Sequence, residues 1–235
     1  LVQSLVGLLL ASWGRGVRCN RRLLFAWVVL PWSVLGCLTG RPLGFHASDI
    51  YLNDPYSGIA QCPHVVAPGT IFALFAVGYF WYPKATGRFM SETLGKIHFW
   101  LSLIFMNLVF MPMFIQGLAG MSRRMYDGGA TYSLATSGNI GALSKFIVED
   151  LNRFVTLAAV SLGLAQLFFI YNFFTSWRIG KKVTSDNPWN ATTLDWQTPT
   201  PPPPGNFPVA PEAYRGPYEY SVPGPSQAFT PQNSK

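Results

Sequence analysis

The chain has 235 residues, of which 49% are apolar, 15% aromatic and 11% charged, with a formal net charge of +7. So much apolar surface beside so little charge excludes an ordinary soluble enzyme and places the chain among integral membrane proteins. The positive charge sits in short clusters between apolar segments rather than along one polar face, which argues for membrane topology and against nucleic-acid binding.

The apolar run at 5–10 is too short to span a bilayer and has no small-residue cleavage pattern, so no signal peptide is expected there. The chain reads as the tail of something longer. A basic stretch follows, with Arg15, Arg18, Arg21 and Arg22 and no acidic residue, as on the positive side of a membrane. Residues 23–43 form the first predicted span, kinked by Pro31, and a polar connector crosses 41–54. The second predicted span, 56–82, is cleanly apolar only from Thr70 onward. Its first half carries Gly58, Pro63, Pro68 and Gly69 and is expected to be a broken helix covered by protein.

Lys84, Arg88 and Lys96 against a single Glu92 return the next connector to the positive side. The third predicted span, 95–120, contains Asn107 and Pro112, and Arg123 and Arg124 follow it on the opposite side. The fourth, 146–177, begins in an amphipathic turn with Glu149, Asp150 and Arg153 and closes on Arg178, Lys181 and Lys182. The basic clusters thus alternate sides across four spans. Residues 1–182 form the predicted transmembrane region. From 183 to 235 the composition turns Pro-rich, including Pro201 to Pro204, and an extended tail of polyproline II character with no core of its own is expected.

Few side chains carry chemistry. Cys19, Cys37 and Cys62 lack metal or redox spacing and read as small buried side chains. His98, beside Lys96, reads as an interfacial histidine, and His46 as a solvated one in a connector. His64 lies in the broken helix, where a ligand role stays open. Two adjacent arginines beyond a span, on the side where cations are disfavoured, want an anionic partner: lipid phosphate or the carboxylates of a cofactor. Without a phosphate loop, dinucleotide fingerprint or nucleophile elbow, no catalytic residue is expected in the chain.

KIHFW at 96–100 followed by GLAGMSRRMYD at 117–127 resembles the heme-copper oxidase family, specifically subunit I of bacterial cytochrome c oxidases, where the motif ends GLxGMPRR. Further blocks follow in order: WGRGVRCNRRLLFA at 13–26, CLTG at 37–40, DIYLNDPY at 49–56 and HVVAPGT at 64–70. The tail blocks NPWNATTLDWQTPTPPPPGNF and YRGPYEYSVPG are similar to the family's C-terminal tail. The resemblance implies an all-α membrane bundle in which this chain supplies spans nine to twelve. It further implies heme and copper cofactors, a possible magnesium ion, and electron transfer from cytochrome c to oxygen coupled to proton pumping. The implied partners are the other oxidase subunits, cytochrome c and membrane lipid, in a bacterial plasma membrane or a mitochondrial inner membrane.

Carried over residue by residue, Arg123 and Arg124 hold heme propionates and Asp54 matches a magnesium ligand, its expected histidine neighbour being Asn53. Two family histidines one residue apart bind hemes on opposite sides of one helix, because such residues point about 200° apart. In ungapped register those positions are Gln61 and Pro63. His64, one residue on, is a candidate heme ligand about 100° from the expected direction. The copper ligands fall on spans that precede this sequence. The resemblance therefore implies a C-terminal fragment of the oxidase subunit, inactive alone. A redox-silent paralogue serving as a structural membrane subunit is the alternative.

Overall fold

A computed structural model describes residues 20–40, 45, 56–119, 121–124, 146–214, 216 and 231–233. It divides into two compact units, Leu1–Val77 with Glu92–Ile170, and Gly78–Ser91 with Tyr171–Lys235. Among the described residues the structure is helical without a strand. Its α-helices are α1 Arg21–Gly40, α2 Tyr56–Val66, α3 Ala73–Thr86, α4 Glu92–Leu118 and α5 Leu151–Ile179. Three of them, α1, α4 and α5, are each long and apolar enough to cross a membrane. The chain is an integral membrane protein.

The stretch expected to be broken is continuous. A π-helical segment, Ala67–Phe72, joins α2 to α3, and its flanking residues Val66 (φ −75°, ψ −44°) and Ala73 (φ −62°, ψ −43°) keep helical dihedrals. Pro68 has no N–H to donate to an i−4 carbonyl, and a widened turn carries the chain past that gap without ending the helix. Residues 56–86 thus form one helix of three pieces, none of which alone reaches the length of a span. Phe146–Asp150 is likewise π-helical and leads into α5.

In the first unit, hydrogen bonds set the helix directions. Arg21, at the start of α1, donates its N–H to Glu92 Oε2 at the start of α4 (3.2 Å), and the side chains pair at 2.7 Å. Glu92 also places negative charge at the positive end of its own helix. The Tyr56 N–H, at the start of α2, donates to the Met121 carbonyl just past α4 (2.9 Å). Gln116, near the end of α4, donates to Asn152 at the start of α5 (3.1 Å). α1 and α4 therefore run one way, and α2 and α5 the other. α4 is the central helix: 44% of its apolar window is buried, against 17% for α1 and 11% for α5. Ala60, Val109, Met113 and Ala158 form a small core between α2, α4 and α5.

Without a hydrophobic force between helices in lipid, close approach depends on small residues. α2 makes two such approaches. A Cβ on Gly117 of α4 would lie 2.0 Å from the Ser57 backbone nitrogen, and one on Gly40 of α1 would lie 2.4 Å from Gln61 Nε2. Outward residues such as Ile104, Ile115, Leu157 and Leu164 are at least half exposed, as suits helices whose outer face meets hydrocarbon.

The second unit has a core of Tyr79, Tyr82, Met90 and Trp196, each buried. Residues beyond α5 contribute to it, although composition alone suggested a tail without one. Trp196, in the 3₁₀ turn Leu194–Trp196, stacks on Trp81 at 4.8 Å and meets Phe80 edge-on at 5.0 Å. The Trp189 indole N–H donates to the Phe80 carbonyl at 3.1 Å. The buried Lys84 ammonium donates to the Asp186 carbonyl at 3.0 Å and to the Thr198 carbonyl.

Candidate functional site

The paired arginines stand directly after α4. The helix closes with the Met121 N–H bonded to the Gln116 carbonyl at 3.0 Å, a six-residue closure of the kind that ends helices. Met121 is buried, and its carbonyl receives the Tyr56 N–H. Arg123 and Arg124 thus follow just after Met121, the residue that joins the start of α2 to the end of α4. Arg123 is half-buried and Arg124 exposed, with φ of 65°, a left-handed conformation uncommon outside glycine. Beneath them Gln116 is fully buried on Asn152 of α5.

A second region lies deeper. An open cleft of about 710 Å³ is bounded by Pro63 and Phe75 from the 56–86 helix, Ser102 and Met106 from α4, and Gly163 and Gln166 from α5. Behind it, His98 is fully buried among aromatic rings from three other helices, with centroids at 5.3 Å for Phe25, 4.6 Å for Phe75 and 5.5 Å for Phe169. The interfacial histidine expected from sequence is therefore a core residue. Its Nε2 lies 3.0 Å from Gln166 Oε1, and Gln166 Nε2 donates to Ser102 Oγ and the Leu162 carbonyl, both at 3.1 Å. Because the amide oxygen can only accept, His98 Nε2 carries the proton. Gln166 and Ser102 were not singled out from sequence. Their signal was a polar residue inside an apolar run, which marks a buried partner without naming it.

The remaining sequence candidates divide. Asp54, Asn53 and His46 lie outside the described residues, as does the side chain of His64. Among the described residues no group of three or more His, Cys, Asp or Glu could hold a metal ion. Gln61 Nε2 donates to the Gly36 carbonyl of α1 at 3.3 Å, and Pro63 borders the cleft.

Residues 2–160 match the family described as Cytochrome C and Quinol oxidase polypeptide I. The chain belongs to this family. It is 38% identical over 226 residues to the Alternative cytochrome c oxidase subunit 1 of Bradyrhizobium diazoefficiens, covering 95% of this chain and 36% of the relative. Cytochrome c oxidase subunit 1 of Thermostichus vulcanus is 38% identical over 212 residues, 89% of this chain and 35% of its own. That of Synechocystis is 37% identical over 210 residues, again 89% and 35%. The chain thus spans about a third of the length of the curated relatives it matches.

The family resemblance implies a heme on the 56–86 helix, with its ligand positions at 61 and 63. The two ligand positions do not fit one. Proline at 63 has no donor, and the Gln61 carboxamide is engaged with α1. The amide NH₂ is a donor without a lone pair to give, and the amide oxygen is a far weaker iron ligand than an imidazole nitrogen.

Proposed function

We propose that the chain is the C-terminal part of subunit I of a terminal respiratory oxidase in a bacterial plasma membrane. In the assembled complex electrons pass from cytochrome c to oxygen and protons are pumped. This chain supplies membrane helices corresponding to the family's spans nine to twelve. The observation that carries the reading is the family match across 2–160, which runs through the first three spans, the arginine turn and the start of the fourth span. Its partners on this reading are the rest of subunit I, the other oxidase subunits, cytochrome c and lipid. Heme and copper are the family's cofactors, with copper held by spans outside this sequence.

Within that reading Arg123 and Arg124 clamp heme propionates, since a planar guanidinium matches a carboxylate in two parallel hydrogen bonds. The turn between the α2 and α4 ends supports this role, since Met121, two residues before the pair, is hydrogen-bonded to both helices. His64 remains a candidate heme ligand and Asp54 a candidate magnesium ligand, both on the motif match alone. A redox-silent structural subunit is the second reading, and one observation favours it: Pro63 has no side-chain donor atom and the Gln61 amide is given to α1.

Affinity isolation of the chain from bacterial membranes tests the proposal. Co-isolation of the other oxidase subunits is expected, and recovery of the chain alone would sink it. The clamp is tested by replacing Arg123 and Arg124 together with Ala in a full-length homologous subunit. A shifted heme potential or Soret band is expected; an unchanged spectrum would assign the pair to lipid phosphate.

A further inference from the structure

Gln61 occupies the position of a family heme ligand, yet its surroundings on α1 are specific. Gly36 and Gly40 stand four residues apart, the small-xxx-small spacing that opens a groove on a membrane helix. The Gln61 carboxamide lies in that groove. It donates to the Gly36 carbonyl at 3.3 Å, an oxygen that also accepts from Thr39 Oγ1 at 3.1 Å. There is no room at the neighbouring position, where a Cβ on Gly40 would come within 2.4 Å of Gln61 Nε2. In hydrocarbon a carboxamide left without a partner is costly, so an amide at this depth is retained where a neighbouring helix receives it.

We infer that Gln61 is the polar fastener of the α1–α2 crossing, so that α2 is held in register by α1 rather than by an iron ligand. The name of the position rests on the oxidase reading proposed above; the fastener itself rests on the groove. The span that resembles a cofactor-bearing helix is in this chain a protein-bearing one, and its assembly with α1 needs no heme.

A double-mutant cycle on the full chain in detergent micelles tests this, with thermal midpoints read from tryptophan fluorescence. Gln61→Ala and Gly40→Ala should each lower Tm by about 2–4 °C. In the double variant the alanine at 40 occupies space the amide has left, so its loss should be little more than that of Gln61→Ala alone. Additive losses, or a Gln61→Ala chain as stable as the original, would overturn the inference. So would a six-coordinate low-spin spectrum on hemin titration that Gln61→Ala abolishes. Co-isolation with oxidase subunits reports separately. A non-additive cycle without co-isolation sinks the oxidase reading and keeps the fastener, while co-isolation with an additive cycle does the reverse.

Discussion

The two units satisfy their backbones by opposite means. In the first, helices bond their own N–H and C=O groups, and side-chain polarity is confined to a few enclosed pairs such as His98 with Gln166 and Gln61 with Gly36. In the second, irregular chain around 180–200 leaves carbonyls that helices cannot serve, and side-chain donors reach them instead. Lys84 takes those of Asp186 and Thr198 and Arg88 that of Gly180 at 2.9 Å, while from the irregular segment itself the Trp189 indole donates to the Phe80 carbonyl of α3. Asn172, fully buried, both receives the Ser91 N–H at 2.9 Å and donates to the Ser91 carbonyl at 3.0 Å. Small residues decide how closely the first unit packs, whereas long polar side chains hold the second. The contrast follows from surroundings: lipid offers no alternative hydrogen bonds, so spans enclose few polar groups, while an irregular segment must be given partners one by one.

The strongest break in the first pattern is Gly117→Val. Its added carbons fall on the Ser57 backbone, which cannot rotate aside, so a loss of about 3 kcal/mol is expected. Loss of the α2–α4 contact would be read as faster hydrogen exchange in 56–66. Next is Lys84→Met, which keeps the stem but strips the Asp186 carbonyl and the buried Thr198 carbonyl of their donor, at about 2 kcal/mol. Limited proteolysis between 186 and 198 should accelerate while 92–118 stays protected. Gln166→Leu should cost only about 1 kcal/mol, because hydrogen bonds between membrane helices are individually weak. The altered ¹⁵N shift of the His98 ring would report it.

The smallest effect is one of pH, and it concerns the second unit. Lys84 lies beyond the apolar stretch ending at Tyr82. Desolvation by burial lowers its ammonium below the ordinary lysine value of 10.5, with Asp186 opposing. Between the lowered value and 10.5 the unfolded chain binds more protons than the folded one, so stability rises with pH across that window. Raising the pH toward 10 should slightly slow cleavage in 186–198. Faster cleavage would mean that the full charge on Lys84 holds the segment.

Three spans were legible because long apolar runs bounded by basic residues leave few other structures open. The widened turn at 67–72 was not. Pro68 and Gly69 announced a disturbance, but whether a helix stops, kinks or widens there depends on what covers the freed groups, which sequence does not show. His98 was misplaced for a similar reason: Lys96 beside it suggested an interface, while the partner that encloses it, Gln166, lies 68 residues away. The aromatic anchoring of Trp196 escaped a composition dominated by proline. Arg123 and Arg124 stood out early because two adjacent cations on the unexpected side of a membrane violate a strong rule locally, without reference to any distant residue.

The widened turn bears on anyone who probes this span chemically. A π-helical segment carries more residues per turn than the helices it joins, so a wheel drawn through 56–86 at a single angular step assigns faces wrongly on one side of Ala67–Phe72. Cysteine pairs for cross-linking, or spin labels for distances, need to be phased from Tyr56 on one side and from Thr86 on the other.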